Sequence, residues 1–192
     1  MVPAAVDFDT QLMIGVQRDD ASSFGELLSR NRTLVVNYLS RMVVNRAVAE
    51  ELAQDVFIRI YRSRRTYEPS AKFSTWLYRI MTNVALNHFR DEKRTRQQIS
   101  LDVREAAPLR RETQDRAPLV EDRLVRDVGA RRVRQAIRAL PPKQRAAVIM
   151  HKYEELDYER IAKILGCTPS AVKALMFRAY ETLRLRLRGT VL

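Results

Sequence analysis

The tightest constraint on the fold is the stretch LDYERIAKILGCTPSAVKALMFRAYETLRLRL, residues 156–187. Asp157 is suited to cap a helix whose apolar positions are Ile161, Ile164 and Leu165. Gly166 ends that helix, because glycine accepts the left-handed conformation that a tight turn requires. Thr168 caps the next helix and Pro169 takes its first position, where a missing N–H costs nothing. Small Ala162 lets the two helices cross closely, and Val172 plugs the space between them. That order of small residue, glycine and apolar residue is the helix-turn-helix pattern.

On the second helix Val172, Met176 and Ala179 fall on one face and should pack inward. Ser170, Lys173, Ala174, Phe177, Arg178 and Glu181 fall outward. Ser170, Lys173 and Ala174, near the helix start, are best placed to reach base edges in a major groove. Arg178, Arg184, Arg186 and Arg188 are better placed for phosphates; a merely solvated helix face is the competing reading of these arginines.

The same 3.6-residue period runs through the rest of the chain, and no segment alternates like a strand. Helices are expected at roughly 9–17, 22–43, 47–64, 73–93, 121–139, 143–153, 158–165 and 169–188. Residues 94–120 carry mixed charge, two prolines and little periodicity, and read as a linker with at most a short helix. The expected architecture is all-α, with two small helical domains at 8–93 and 121–188 joined by a flexible linker at 94–120.

Charge narrows the partner. Lysine and arginine outnumber aspartate and glutamate 35 to 23, a net charge of +12, which favours a polyanion. The single cysteine, Cys167, precludes an internal disulfide and suits a reducing cytosol. The N-terminus lacks the basic and apolar regions of a signal peptide, and no apolar run approaches the ~20 residues needed to cross a bilayer. A cytoplasmic protein without membrane insertion is expected.

Within the first lobe, helix 47–64 places Val48, Leu52, Val56 and Ile60 on one face. Glu51, Asp55, Ile58 and Arg62 share the opposite stripe, where an exposed isoleucine among charges hints at a protein partner. Helix 73–93 directs Leu77, Ile80, Met81, Val84, Ala85, His88 and Phe89 to the core. Arg79, Asn83, Asn87 and Arg90 gather on its other side, with Trp76 at the border and Tyr67 and Lys72 just upstream. Amides, arginines and an indole together can bond base edges, hold phosphates and offer a stacking plane. The plainer reading is that Trp76 and Tyr67 finish the edge of the core.

Three segments occur in order: AEELAQDVFIRIYRS, FSTWLYRIMTNVALNHFRDEKR and ALPPKQRAAVIMHKYEELDYERIAKILGCTPSAVKALMFRAYETLR. Together they resemble a bacterial RNA polymerase sigma factor of the extracytoplasmic-function (ECF) group in the sigma-70 family, over roughly residues 8–188. The resemblance implies that helix 47–64 docks on the clamp helices of the polymerase β′ subunit through Glu51, Gln54, Asp55 and Ile58, and that the β subunit is also met. It implies that loop 66–72 and the next helix melt and read the −10 element of promoter DNA, through Tyr67, Lys72, Trp76, Arg79, Asn83, Asn87 and Arg90. Tyr67 and Asn83 match a pocket for a flipped base, which must return stacking and hydrogen bonds for the cost of unstacking. The second motif helix would read the −35 element through Ser170, Lys173, Ala174, Phe177 and Arg178. An anti-sigma factor is the expected regulator, since the chain carries no sensor domain. Leu175 and Tyr180 stand where many relatives have basic residues, and the linker is rich in arginine.

Two other classes compete. A free-standing repressor or activator would use the helix-turn-helix alone. A nuclease or recombinase would need metal ligands, yet His88, His151 and Cys167 are not at ligand spacing, and no acidic pair or phosphate loop stands out. No catalytic residue, metal or cofactor is expected.

Overall fold

The computed structural model describes residues 7–69, 72–102 and 121–188. Eight α-helices run along them: α1 (Phe8–Gln17), α2 (Ala21–Met42), α3 (Arg46–Arg62), α4 (Phe73–Asp102), α5 (Glu121–Arg138), α6 (Pro142–Lys152), α7 (Tyr158–Leu165) and α8 (Pro169–Arg186). A single 3₁₀ turn, Arg64–Thr66, follows α3, and the described residues contain no strand.

Helix starts obey local chemistry. Asp7, Asp20, Asn45, Asp157 and Thr168 each accept a backbone N–H from the first turn of the helix they precede. Such caps satisfy donors that have no partner inside the helix, at about 1 kcal/mol each. Helix α4 continues to Asp102, beyond the expected end at 93. Past Phe89 its support is no longer an apolar stripe but good helix formers, with Glu92 one turn from both His88 and Arg96, at 3.7 and 3.9 Å. The remainder of the expected linker, 103–120, lies outside the described residues.

The first lobe packs α1 to α4 around Met13, Leu27, Val35, Leu39, Val56, Ile60, Leu77 and Met81, all essentially inaccessible to water. Gly15 permits the close crossing of α1 and α2, since a Cβ there would run into the Ser23 side chain. On α3 the buried set is Ala49, Ala53, Val56, Phe57 and Ile60, while Val48 and Leu52 are only partly covered. The buried arc is thus rotated from the expected one, since α3 packs against both α2 and α4. On α4 the buried arc is also wider than expected and takes in Phe73, Tyr78 and Thr82.

The second lobe centres on α6, where every residue from Arg145 to Met150 is buried. A helix buried all round must be surrounded by other elements. Helix α6 packs against α5, α7 and α8 of its own lobe and against α2 and α4 of the first. Helix α4 also lies along α7. The two lobes therefore share one continuous apolar cluster.

Candidate nucleic-acid interface

The helix-turn-helix forms as its residues dictate. Gly166 adopts φ 63° and closes α7, and the Cys167 N–H donates to the Ala162 carbonyl at 3.0 Å. Thr168 Oγ1 accepts the Ala171 N–H at 3.2 Å to start α8. Ala162, Val172, Met176 and Ala179 are all buried, so α8 is held by one face and presents the other. On that open face lie Ser170, Lys173, Ala174, Phe177 and Arg178, with Phe177 68% exposed. Arg178 Nε donates to the Ala174 carbonyl at 3.1 Å, which lays its guanidinium along the helix surface. Arg184 lies 4.0 Å from Glu181, one turn away.

A second polar face runs along α4. Lys72, Arg79, Asn83 and Arg90 are exposed, and Trp76 is partly covered. Asn87 sits at the margin of this stripe, in a groove of about 470 Å³ between α3 and α4 that is also lined by Leu52, Asp55, Arg59 and His88.

Tyr67 takes the place that the plainer reading gave it, at the edge of the core. It is only 4% exposed, and its ring lies edge-on to Trp76 and Phe73, with centroids 4.9 and 6.3 Å away. Its backbone carbonyl is fixed by Gln17 Nε2 at 2.7 Å. Burial pushes its phenol pKa up, with the Thr10 hydroxyl acting the other way. Tyr67 packs edge-on against the indole, and Trp76 is the less buried of the two rings.

The outer stripe of α3 divides between two grooves. Gln54 and Ile58, the latter 48% exposed, border a groove of about 490 Å³ between α2 and α3 whose apolar walls are Phe24, Leu28, Val36, Phe57 and Tyr61. Asp55 faces the α3–α4 groove instead and is paired with Arg59 at 2.9 Å, while Glu51 is exposed between the two. Sequence periodicity pointed to the stripe but not to the apolar groove beside it. Phe24 and Leu28, one turn apart on α2, were the available signal.

The described residues contain no group of three or more His, Cys, Asp or Glu placed to hold a metal. His151 Nδ1 donates to the Leu156 carbonyl at 3.1 Å, and Cys167 is exposed in the turn. Among the described residues no helix is long and apolar enough to cross a membrane.

Comparison with known proteins matches residues 27–95 to Sigma-70 region 2 and residues 130–183 to Sigma-70, region 4. The chain is 31% identical over 182 residues to the RNA polymerase sigma-H factor of Pseudomonas aeruginosa, covering 91% of each chain. It is 31% identical over 175 residues to the ECF RNA polymerase sigma factor SigW of Bacillus subtilis, covering 90% of this chain and 93% of that one. Among solved structures, the sigma factor RpoE in complex with the anti-sigma factor NepR from Bartonella quintana shares the fold. It aligns with TM-score 0.63 and 21% identity, over 89% of this chain and all of the other. Two region matches in the expected order, on a two-lobed helical fold with near full-length relatives, place the chain in the sigma-70 family, among the ECF RNA polymerase sigma factors.

Proposed function

We propose that this sigma factor binds core RNA polymerase through the outer stripe of α3, Glu51, Gln54, Asp55 and Ile58, with the apolar α2–α3 groove beside it. The β′ clamp helices are the partner at this surface, and the β subunit is a further contact. The N-terminal unit, residues 8–93, opens and reads the −10 element with Lys72, Trp76, Arg79, Asn83, Asn87 and Arg90, and Tyr67 shapes the aromatic pocket behind them. The C-terminal unit, residues 121–188, reads the −35 element with Ser170, Lys173, Ala174, Phe177 and Arg178. Residues 94–120 connect the two. The chain performs no chemistry of its own; it supplies specificity to an enzyme that lacks it, and it works in the cytoplasm.

The observation that carries this reading is the pair of exposed polar faces, one on α4 and one on α8, in a chain of net charge +12. Backbone contacts from a basic surface give affinity, and the few side chains at base edges give sequence preference. Anti-sigma control is supported by the shared fold with RpoE, which is solved in complex with the anti-sigma factor NepR. Reconstituted transcription tests the proposal. Core polymerase with this chain should yield promoter-dependent transcripts from host genomic templates, and core alone should not. A tight, specific gel shift on duplex DNA without polymerase, and no transcript with it, would instead favour a free-standing regulator.

A further inference from the structure

Helix α1 lies before the stretch matched to Sigma-70 region 2, residues 27–95, yet its side chains reach Tyr67 and Phe73 in the segment assigned to the −10 element. Gln17, the last residue of α1, donates from Nε2 to the Tyr67 carbonyl at 2.7 Å, where the chain leaves the 3₁₀ turn. Thr10, which is buried, accepts the Phe73 N–H on Oγ1 at 3.3 Å. That N–H opens α4, and a donor at a helix start has no partner inside its own helix. The two bonds bridge 50 and 63 positions of sequence, so both are set by tertiary packing.

The turn after α1 adds a third hold. Asp19 adopts φ 62°, a left-handed conformation that aspartate accepts more readily than most residues. Its carboxylate accepts from Arg64 Nε at 2.9 Å and Nη2 at 2.8 Å, and lies 3.7 Å from Arg65 Nη2. Arg64 also sits 4.1 Å over the Tyr61 ring and donates to the Tyr61 carbonyl at 3.0 Å. The 3₁₀ turn that delivers Tyr67 is thus pinned from the α1–α2 turn. The consequence falls on Trp76. Its ring centroid is 4.9 Å from that of Tyr67 and 5.8 Å from that of Phe73, and those two rings are 6.3 Å apart. The two residues that α1 holds by the backbone are the two whose rings pack against the indole.

We propose that Thr10 and Gln17 are positioning residues for promoter opening: they fix the backbone at Tyr67 and Phe73, and those two rings fix the Trp76 plane that meets the −10 element. The inference rests on the −10 assignment made above. Neither residue has to touch DNA. Ordering a backbone costs conformational entropy residue by residue, and a reader ordered beforehand does not lose it again on binding. An extruded base already carries the cost of unstacking, so a loosely held indole would add its own ordering to the same step. Gln17 is only partly covered, so water replaces the bond it gives up, and its loss should fall on this segment rather than on the core of the lobe.

Trp76 is the only tryptophan, so its fluorescence reports on the arrangement without polymerase or DNA. In the full chain, Gln17→Ala and Thr10→Val should each move the emission maximum to the red and raise acrylamide quenching. Thr10→Ser, which keeps the acceptor oxygen, should match the parent. With core polymerase, on a promoter identified from host genomic templates, the first two variants should slow open-complex formation by about three- to tenfold, the scale of one hydrogen bond, with half-saturation by core unchanged. Parent-like emission or parent-like opening in Gln17→Ala overturns the proposal, as does a fall in core affinity equal to the fall in opening rate. If Thr10→Val loses its circular-dichroism melt, Gln17→Ala decides alone, and collapse of both melts overturns the proposal by assigning the bonds to the fold. If the parent chain forms no open complex with core polymerase, the −10 reading fails instead, and the fluorescence result stands apart from it.

Discussion

Tyr38 Oη and Thr82 Oγ1 share a hydrogen bond of 2.8 Å inside the first lobe, where neither residue is exposed to solvent. The bond ties the C-terminal part of α2 to the first third of α4 across 44 positions of sequence. Thr82→Val keeps the shape but leaves the phenol unpaired, and should cost about 1–3 kcal/mol. Adding Tyr38→Phe should recover part of that loss. Urea denaturation of the two single variants and the double variant measures the coupling.

The same phenol sets an alkaline limit. Burial raises the Tyr38 pKa well above its ordinary value of 10.0, and burial with the Glu154 carboxylate does the same at Tyr78. Above pH 10 the unfolded chain releases these protons while the folded chain keeps them, so the unfolded state binds fewer protons and stability falls with rising pH. The contribution is intact below about pH 10 and lost progressively above it. Urea midpoints taken between neutral pH and about pH 11 should fall less steeply for Tyr38→Phe, Thr82→Val than for the parent.

Gly15→Ala should destabilise the first lobe by about 1–3 kcal/mol, because the new methyl meets Ser23, whose Cβ would be 2.8 Å away. Ser23→Gly in the same chain should restore part of the loss. A melting temperature unaffected by the single change would show that α1 and α2 part more easily than their packing indicates.

Asn83→Ala should slow open-complex formation on the order of tenfold, the scale of one lost amide contact to a base edge. Asn87→Ala should act more weakly, since Asn87 lies at the rim of the α3–α4 groove. Thermal melts and core-polymerase affinity should stay near the parent for both. Permanganate footprinting of the −10 region reads the difference.

Lys173 and Arg178 should separate by salt dependence. Lys173→Ala, near the start of α8, should cost about 1–3 kcal/mol on the preferred −35 sequence and little on others. Arg178→Ala should weaken binding to all sequences alike and reduce the salt slope by about one. Binding of the holoenzyme to matched and scrambled −35 duplexes over a range of salt decides between the two roles.

What could be read from the sequence was what neighbouring residues decide among themselves. Asp157, Gly166, Thr168 and Pro169 fix the motif turn by bonds within a few positions, and the turn forms as read. The outward placement of Lys173 and Asn83 follows from helical period alone. Tyr67 left two readings open, because the choice between them is made by Phe73 and Trp76 on α4, which its ring meets edge-on. The polar contacts between the lobes left no trace. Nothing near Arg145 in the sequence points to its partner, the Met42 carbonyl 103 positions away. Glu154 and Glu155 look like an ordinary acidic turn until Tyr78 and Arg41 are seen across from them.

Helix α6 has the last consequence. Its residues from Arg145 to Met150 have no side that belongs to water, and part of their cover comes from α2 and α4 of the other lobe. A chimera that joins this N-terminal lobe to a relative's C-terminal lobe would therefore import a wedge cut for different neighbours. The hybrid should bind its targets piecewise and still be sticky when free, unless the α2 and α4 surfaces travel with α6. The chain is modular in what it reads and monolithic in how it is kept dry.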